Sequence, residues 1–122
     1  GLNLLRDQFM LSQVNRLPSS EFDKVKSHGK LYQGKFFGIS ALNRNDNKPS
    51  RFGFIISAKI SRKAVDRNKI KRLMTKAIRN VVVRIAGGND IIFLAKRILN
   101  TGSETEVVEE THNSLRKVGL LK

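Results

Sequence analysis

The chain has 122 residues, with 24 Lys or Arg against 10 Asp or Glu, a formal net charge of +14 and no Cys. A chain of this length suits a single domain able to bury its own core, and the lack of Cys excludes disulfides, thiolate zinc sites and cysteine nucleophiles. Two His leave no basis for a histidine metal cluster, and no apolar run approaches the roughly 18 residues that span a bilayer, so a soluble, cytoplasmic protein without a membrane partner is expected.

Ser19 or Ser20, after Pro18, is placed to cap a short helix over residues 20–28, with Phe22 and Val25 three apart and Gly29 as its stop. A short strand fits residues 30–33. Apolar and β-forming residues predict a strand over 36–43 and another over 52–57, separated by the turn-prone run Asn45-Asp46-Asn47-Lys48-Pro49-Ser50, so the two read as a hairpin.

A long helix is predicted over residues 64–84. Ile70, Leu73, Met74, Ala77, Ile78 and Val81 follow the spacing of one apolar face, while Asn68, Arg72, Thr75, Lys76 and Arg79 project on the other, flanked by Lys69 and Lys71. Gly87-Gly88-Asn89-Asp90 then turns the chain into Ile91-Ile92-Phe93-Leu94-Ala95, a continuous apolar run of the kind buried on both faces in the middle of a sheet. Ser103-Glu104-Thr105-Glu106 is a capping box that opens a last helix carrying Val108, Leu115 and Val118, with Arg116 and Lys117 at its cationic end and Gly119 as its stop. The sum is an α+β fold, a small two-layer α/β sandwich in which the long helix connects two strands of one sheet.

Charge is concentrated on that helix and its approach. Residues 59–84 hold ten Lys or Arg and one acid, Asp66, a net +9 within 26 residues. Like charges at such density repel one another unless a polyanion or salt offsets them, which points to nucleic acid. Asp66 and Asp90 are too isolated to act as paired carboxylates, and no acid cluster or His pair is visible to activate water, so a conventional protein nuclease is disfavoured. A helix-in-groove DNA binder would pack a second helix closely against the basic one, whereas strands flank it here.

The order of motifs resembles a known family, the protein component of bacterial ribonuclease P. Phe52-Gly53-Phe54-Ile55-Ile56-Ser57-Ala58-Lys59, followed by Lys63-Ala64-Val65-Asp66-Arg67-Asn68-Lys69-Ile70-Lys71-Arg72-Leu73, is similar to that family's strand ending in Ser-x-Lys and its Arg-Asn-Arg helix. Upstream, Leu17, Phe22, Val25 and Gly29 resemble its N-terminal helix, and Asn89 to Lys96 resemble its buried strand. The likeness runs over residues 10–118. Residues 1–9 have no counterpart and read as an extension or an expression remnant, which leaves 10–122 as one RNA-binding domain.

The resemblance implies an α-β-β-β-α-β-α order with a left-handed crossover at the basic helix, an exception to the usual hand. It implies a subunit that binds the catalytic ribonuclease P RNA and the 5′ leader of precursor tRNA and promotes endonucleolytic removal of the leader. The protein then supplies no catalytic residue and no metal ligand, and Mg2+ is held mainly by RNA. A monomer, one per RNA, is expected. Carried over by position, Arg62, Lys63, Arg67, Asn68, Lys69, Lys71, Arg72, Lys76 and Arg79 face the RNA subunit, and Phe22, Lys26, Phe37, Ser57, Lys59 and Lys96 meet the leader. Lys69 stands where the family usually has Arg, which keeps the charge but not the planar fork. Ser40 stands where a strand Tyr often occurs, and Phe36, Phe37 or Tyr32 are candidates to replace that aromatic. The alternative is a non-enzymatic RNA-binding protein of ribosomal type, which would share the charge and fold but not this pairing of motifs.

Overall fold

The structure, a computed structural model, describes residues 13–57, 62–96 and 103–121. Among the described residues three α-helices, α1 (Phe22–His28), α2 (Ala64–Arg79) and α3 (Glu104–Lys117), accompany a four-stranded sheet of β1 (Lys30–Gln33), β2 (Phe37–Asn43), β3 (Arg51–Ile55) and β4 (Asn89–Ala95). The spatial order is β1-β2-β4-β3; β4 runs antiparallel to β2 and parallel to β3.

This order corrects the expected hairpin of β2 with β3. The hairpin in the fold is β1 with β2, and β4 lies between β2 and β3. The reason is in β4 itself: Ile91, Ile92 and Phe93 are all fully buried, and only a central position covers both faces of such a strand. The turn-rich segment after β2 therefore arches past the start of β4 instead of joining paired neighbours. Arg44 N–H donates to Gly88 O at 2.7 Å and Gly88 N–H to Lys48 O at 2.8 Å. Gly88 has φ +82, and a Cβ there would fall 2.4 Å from Asp46 O, so this crossing requires glycine.

Alternate residues of the strands divide the interior between two faces. One buries Phe37, Ile39, Phe52, Ile91 and Phe93 against Ile70, Met74, Ile78 and Val81 from α2 and its extension, with Val107 and Leu115 of α3. Phe93 is its hub: Phe37 meets it edge-on at 5.2 Å and Phe54 stacks on it at 5.8 Å. The other face carries a smaller cluster of Ile92, Leu17 and Val25, with Phe22, Leu42, Ile55 and Leu94 packed around it, so α1 covers only part of the sheet.

The ends of the helices follow their sequences. Ser19 and Ser20 open a 310 turn ahead of α1 and make no side-chain cap, contrary to expectation. α2 stops at Arg79, five residues short of the predicted end, and Val82–Arg84 forms a 310 turn. The β-branched run Val81-Val82-Val83 has low helix propensity. α3 begins with the predicted capping box, Glu106 N–H donating to Ser103 Oγ at 3.1 Å and Ser103 N–H to Glu106 Oε1 at 3.2 Å. Its buried positions are Val107, Thr111 and Leu115, spaced by four, whereas Val108 and Val118 are half-buried. Gly119, at φ +83, turns the chain so that Leu120 and Leu121 donate N–H to Leu115 O.

Candidate nucleic-acid interface

Helix α2 separates grease from charge. Ile70, Met74, Ala77 and Ile78 are buried, while Val65, Asn68, Lys69, Arg72, Lys76 and Arg79 are exposed and recur at helical spacing along one stripe. Arg62 and Lys63 extend the exposed surface ahead of the helix, and Lys71 lies exposed on one flank. Arg67, three residues before Ile70, stands next to the core side and is half-buried. Thr75 corrects the expected outer face: it is 3% exposed. A small β-branched side chain can be buried at the margin of a helix face where Lys or Arg cannot, so the stripe is narrower than periodicity alone predicts. Lys76 carries an intramolecular partner, with Nζ 2.6 Å from Glu104 Oε1 on α3.

The opposite sheet face forms a second surface with α1. Phe22 is half-buried and sits over Gly53, and Lys26, one turn later, is exposed. Ser40 is buried beneath the helix, its hydroxyl donating to Val25 O at 3.0 Å; the hydroxyl found here in place of an aromatic pins α1 to the sheet. Beyond the helix, the face continues through Gly38 and Leu94 to Ser57 and Lys96. Ser57 is exposed, and Lys96 Nζ donates to Gly34 O at 2.6 Å, which fixes its stem across the end of β2. Leu31 is 56% exposed and Gln33 is exposed, and both flank Gly38. Neither was anticipated. The signal available for them was their alternation with Tyr32.

Phe37 is corrected. It is fully buried on the side of α2 and α3, because strand alternation that sends Gly38 and Ser40 toward α1 sends Phe37 and Ile39 the other way. Tyr32 and Phe36 pack with the same main core, so none of the three replaces the missing aromatic. Lys59 lies outside the described residues, as do residues 1–9.

Two polar arrangements brace these surfaces. Asp90, 3% exposed at the start of β4, accepts hydrogen bonds at 2.8 Å from both Nε and Nη2 of Arg51, and Arg44 Nη1 also donates to it. Burial pushes the Asp90 carboxyl up, but the hydrogen bonds and charges of Arg51 and Arg44 together outweigh it and hold its pKa below the ordinary value. Arg44 in turn donates to Asp46, whose pKa is lowered chiefly by that bond. Glu110 of α3 accepts the N–H of Lys35 at 2.8 Å and of Phe36 at 2.7 Å, which ties the β1–β2 turn to the helix. Arg44, Arg51 and Asp90 are therefore structural cations and anion, a distinction that sequence counts of charge do not make. Among the described residues no three His, Asp or Glu side chains converge as metal ligands, and no helix is long and apolar enough to cross a membrane.

The family model for ribonuclease P matches residues 11–119, which takes in the stripe, the sheet and all three helices. The chain belongs to the ribonuclease P protein family. It is 28% identical over 113 residues to the ribonuclease P protein component of Pseudanabaena sp., a match covering 92% of this chain and 97% of that one. Among solved structures, the ribonuclease P protein of Thermotoga maritima superposes with a TM-score of 0.76 at 26% identity, covering 84% of this chain and 96% of its own. That of Staphylococcus aureus superposes with a TM-score of 0.81 at 21% identity, covering 90% and 100%, and establishes the shared fold. Members of this family are protein components of an endoribonuclease that works with ribonuclease P RNA, so tRNA processing and RNA binding go with the chain.

Proposed function

We propose that the chain docks on ribonuclease P RNA through the exposed stripe of α2 and receives the 5′ leader of precursor tRNA on the sheet face beside α1. The observation that carries this reading is the division of α2 into an apolar face that buries Ile70, Met74, Ala77 and Ile78 and a stripe bearing Asn68, Lys69, Arg72, Lys76 and Arg79. Arg72 and Arg79 offer planar forks for phosphate, Lys69 and Lys71 offer point charges, and Arg62, Lys63 and Arg67 continue the field toward the N-terminus of the helix. On the other surface, Phe22 is the aromatic to which an unpaired base can stack, with Lys26, Lys96 and Ser57 supplying cations and a hydroxyl for its backbone.

Cleavage then belongs to the RNA, with Mg2+ held by RNA phosphates and substrate, and the protein's part is to position the leader and to neutralise phosphates. We place the protein in the cytoplasm as a monomer, one per RNA. The test is reconstitution with a bacterial ribonuclease P RNA and precursor tRNA at low Mg2+. Cleavage should be stimulated over RNA alone, and more strongly for a substrate with a leader of several nucleotides than for one with a single nucleotide. No stimulation would sink the reading.

A further inference from the structure

The stripe of α2 meets a carboxylate of its own chain. Lys76 stands between Arg72 and Arg79, and its Nζ lies 2.6 Å from Oε1 of Glu104, the first residue of α3; the two side chains remain 55% and 58% exposed. So open a pair contributes little to folding, because water screens it and two long side chains must be held still. Two other acids of α3 have different tasks. Glu106 closes the capping box and Glu110 holds two backbone N–H groups of the β1–β2 turn. Glu104, favoured at the start of α3 by the helix dipole, is instead directed at a cation of the stripe, at hydrogen-bonding distance, where a phosphate oxygen of docked RNA would otherwise bind.

We propose that Glu104 is an intramolecular phosphate mimic: it occupies Lys76 in the free protein, yields it to a backbone phosphate when RNA docks, and by its residual negative charge ends the RNA footprint on the α3 side of the stripe. The proposal rests on the reading of α2 as the RNA-binding face. Exchange of one anion for another at Lys76 is cheap because the pair is already hydrated, and the displaced carboxylate then opposes phosphates close to it. Wild-type affinity is therefore held below what the same cations would give without Glu104.

The test is titration of a fluorescently labelled bacterial ribonuclease P RNA transcript with the full chain over a series of KCl concentrations. Glu104→Gln keeps the size of the side chain and removes its charge. It should tighten binding about three- to tenfold near about 0.1 M salt, with the gain shrinking as salt rises and the log–log salt slope steepening by about 0.7–0.9. The thermal midpoint should fall only slightly, through the lost interaction with the helix dipole. Lys76→Ala should weaken wild-type binding slightly and cancel the gain in the Glu104→Gln background. Unchanged affinity and slope in Glu104→Gln would overturn the proposal, and so would weaker binding with a nearly unchanged melting curve, which would make the pair itself a recognition element. Lys69→Ala and Arg72→Ala in the same titration separate the two levels: if they too bind as wild type, the RNA-face reading fails, and if they weaken binding while Glu104→Gln changes nothing, the mimic alone fails.

Discussion

A Cβ on Gly53 would lie 2.5 Å from Cζ of Phe22, so the aromatic ring occupies space over β3 that a glycine leaves open. Gly53→Ala should therefore push the ring off its seat. Overpacking at this contact should cost about 1–3 kcal/mol in urea unfolding. In the reconstituted enzyme it should raise KM for a long-leader precursor while leaving a single-nucleotide leader nearly unaffected, and Phe22→Ala should give the same selective loss. Equal effects on both substrates would detach Phe22 from the leader.

The two sides of α2 should respond to truncation in opposite assays. Met74 is fully buried and Ile70 is 7% exposed, so Met74→Ala and Ile70→Ala should each destabilise by about 2–5 kcal/mol, with RNA affinity preserved under conditions where the variants remain folded. Lys69→Ala, at an exposed position of the stripe, should leave urea unfolding nearly unchanged and reduce both RNA affinity and its salt slope. Filter binding beside urea denaturation of the same preparations reads both.

Asp90 should make acid stability visible. Its pKa is depressed in the folded chain, so its contribution is complete above the unfolded carboxyl value of about 3.9 and is lost as pH falls through the lower folded value. Thermal midpoints should hold from neutral pH down to about pH 4 as far as this group is concerned, then fall. Asp90→Asn leaves Arg51 and Arg44 without their shared anion; it should cost about 2–4 kcal/mol at pH 7 and flatten part of the acid limb. Melting curves from pH 2 to 7 on both proteins check the sign.

The start of α3 depends on a reciprocal pair of bonds between Ser103 and Glu106. Ser103→Ala should lower stability by about 1 kcal/mol, and Glu106→Ala should add little on top of it because both remove the same motif. A double-mutant cycle in thermal unfolding measures that coupling.

Sequence reasoning succeeded where one residue's neighbours decide its state. Ile91-Ile92-Phe93 demanded a central strand, the apolar spacing from Ile70 to Val81 demanded a buried helix face, and Ser103-x-x-Glu106 demanded a cap. It failed where the deciding partner is remote. Alternation ties Phe37 to Ile39 but does not say which face the pair takes; that is set by Phe93, on a strand made more than fifty residues later. Arg44 and Arg51 enter a count of charge like any other cations, and only the sheet brings Asp90 between them. The hairpin expectation treated Asn45 to Ser50 as a link between neighbours, although β4 had yet to claim the space between.

That late insertion has a consequence for synthesis. A nascent chain that has emerged only as far as α2 possesses β1, β2 and β3 but lacks the strand that joins β2 to β3, so β3 has no ladder partner within the sheet and Phe52 and Phe54 have no Phe93 to meet. Cooperative closure must await Asn89–Ala95, which leave the ribosome only after β1, β2, β3 and α2. Fragments ending before this point should behave as protease-sensitive, unassembled chains.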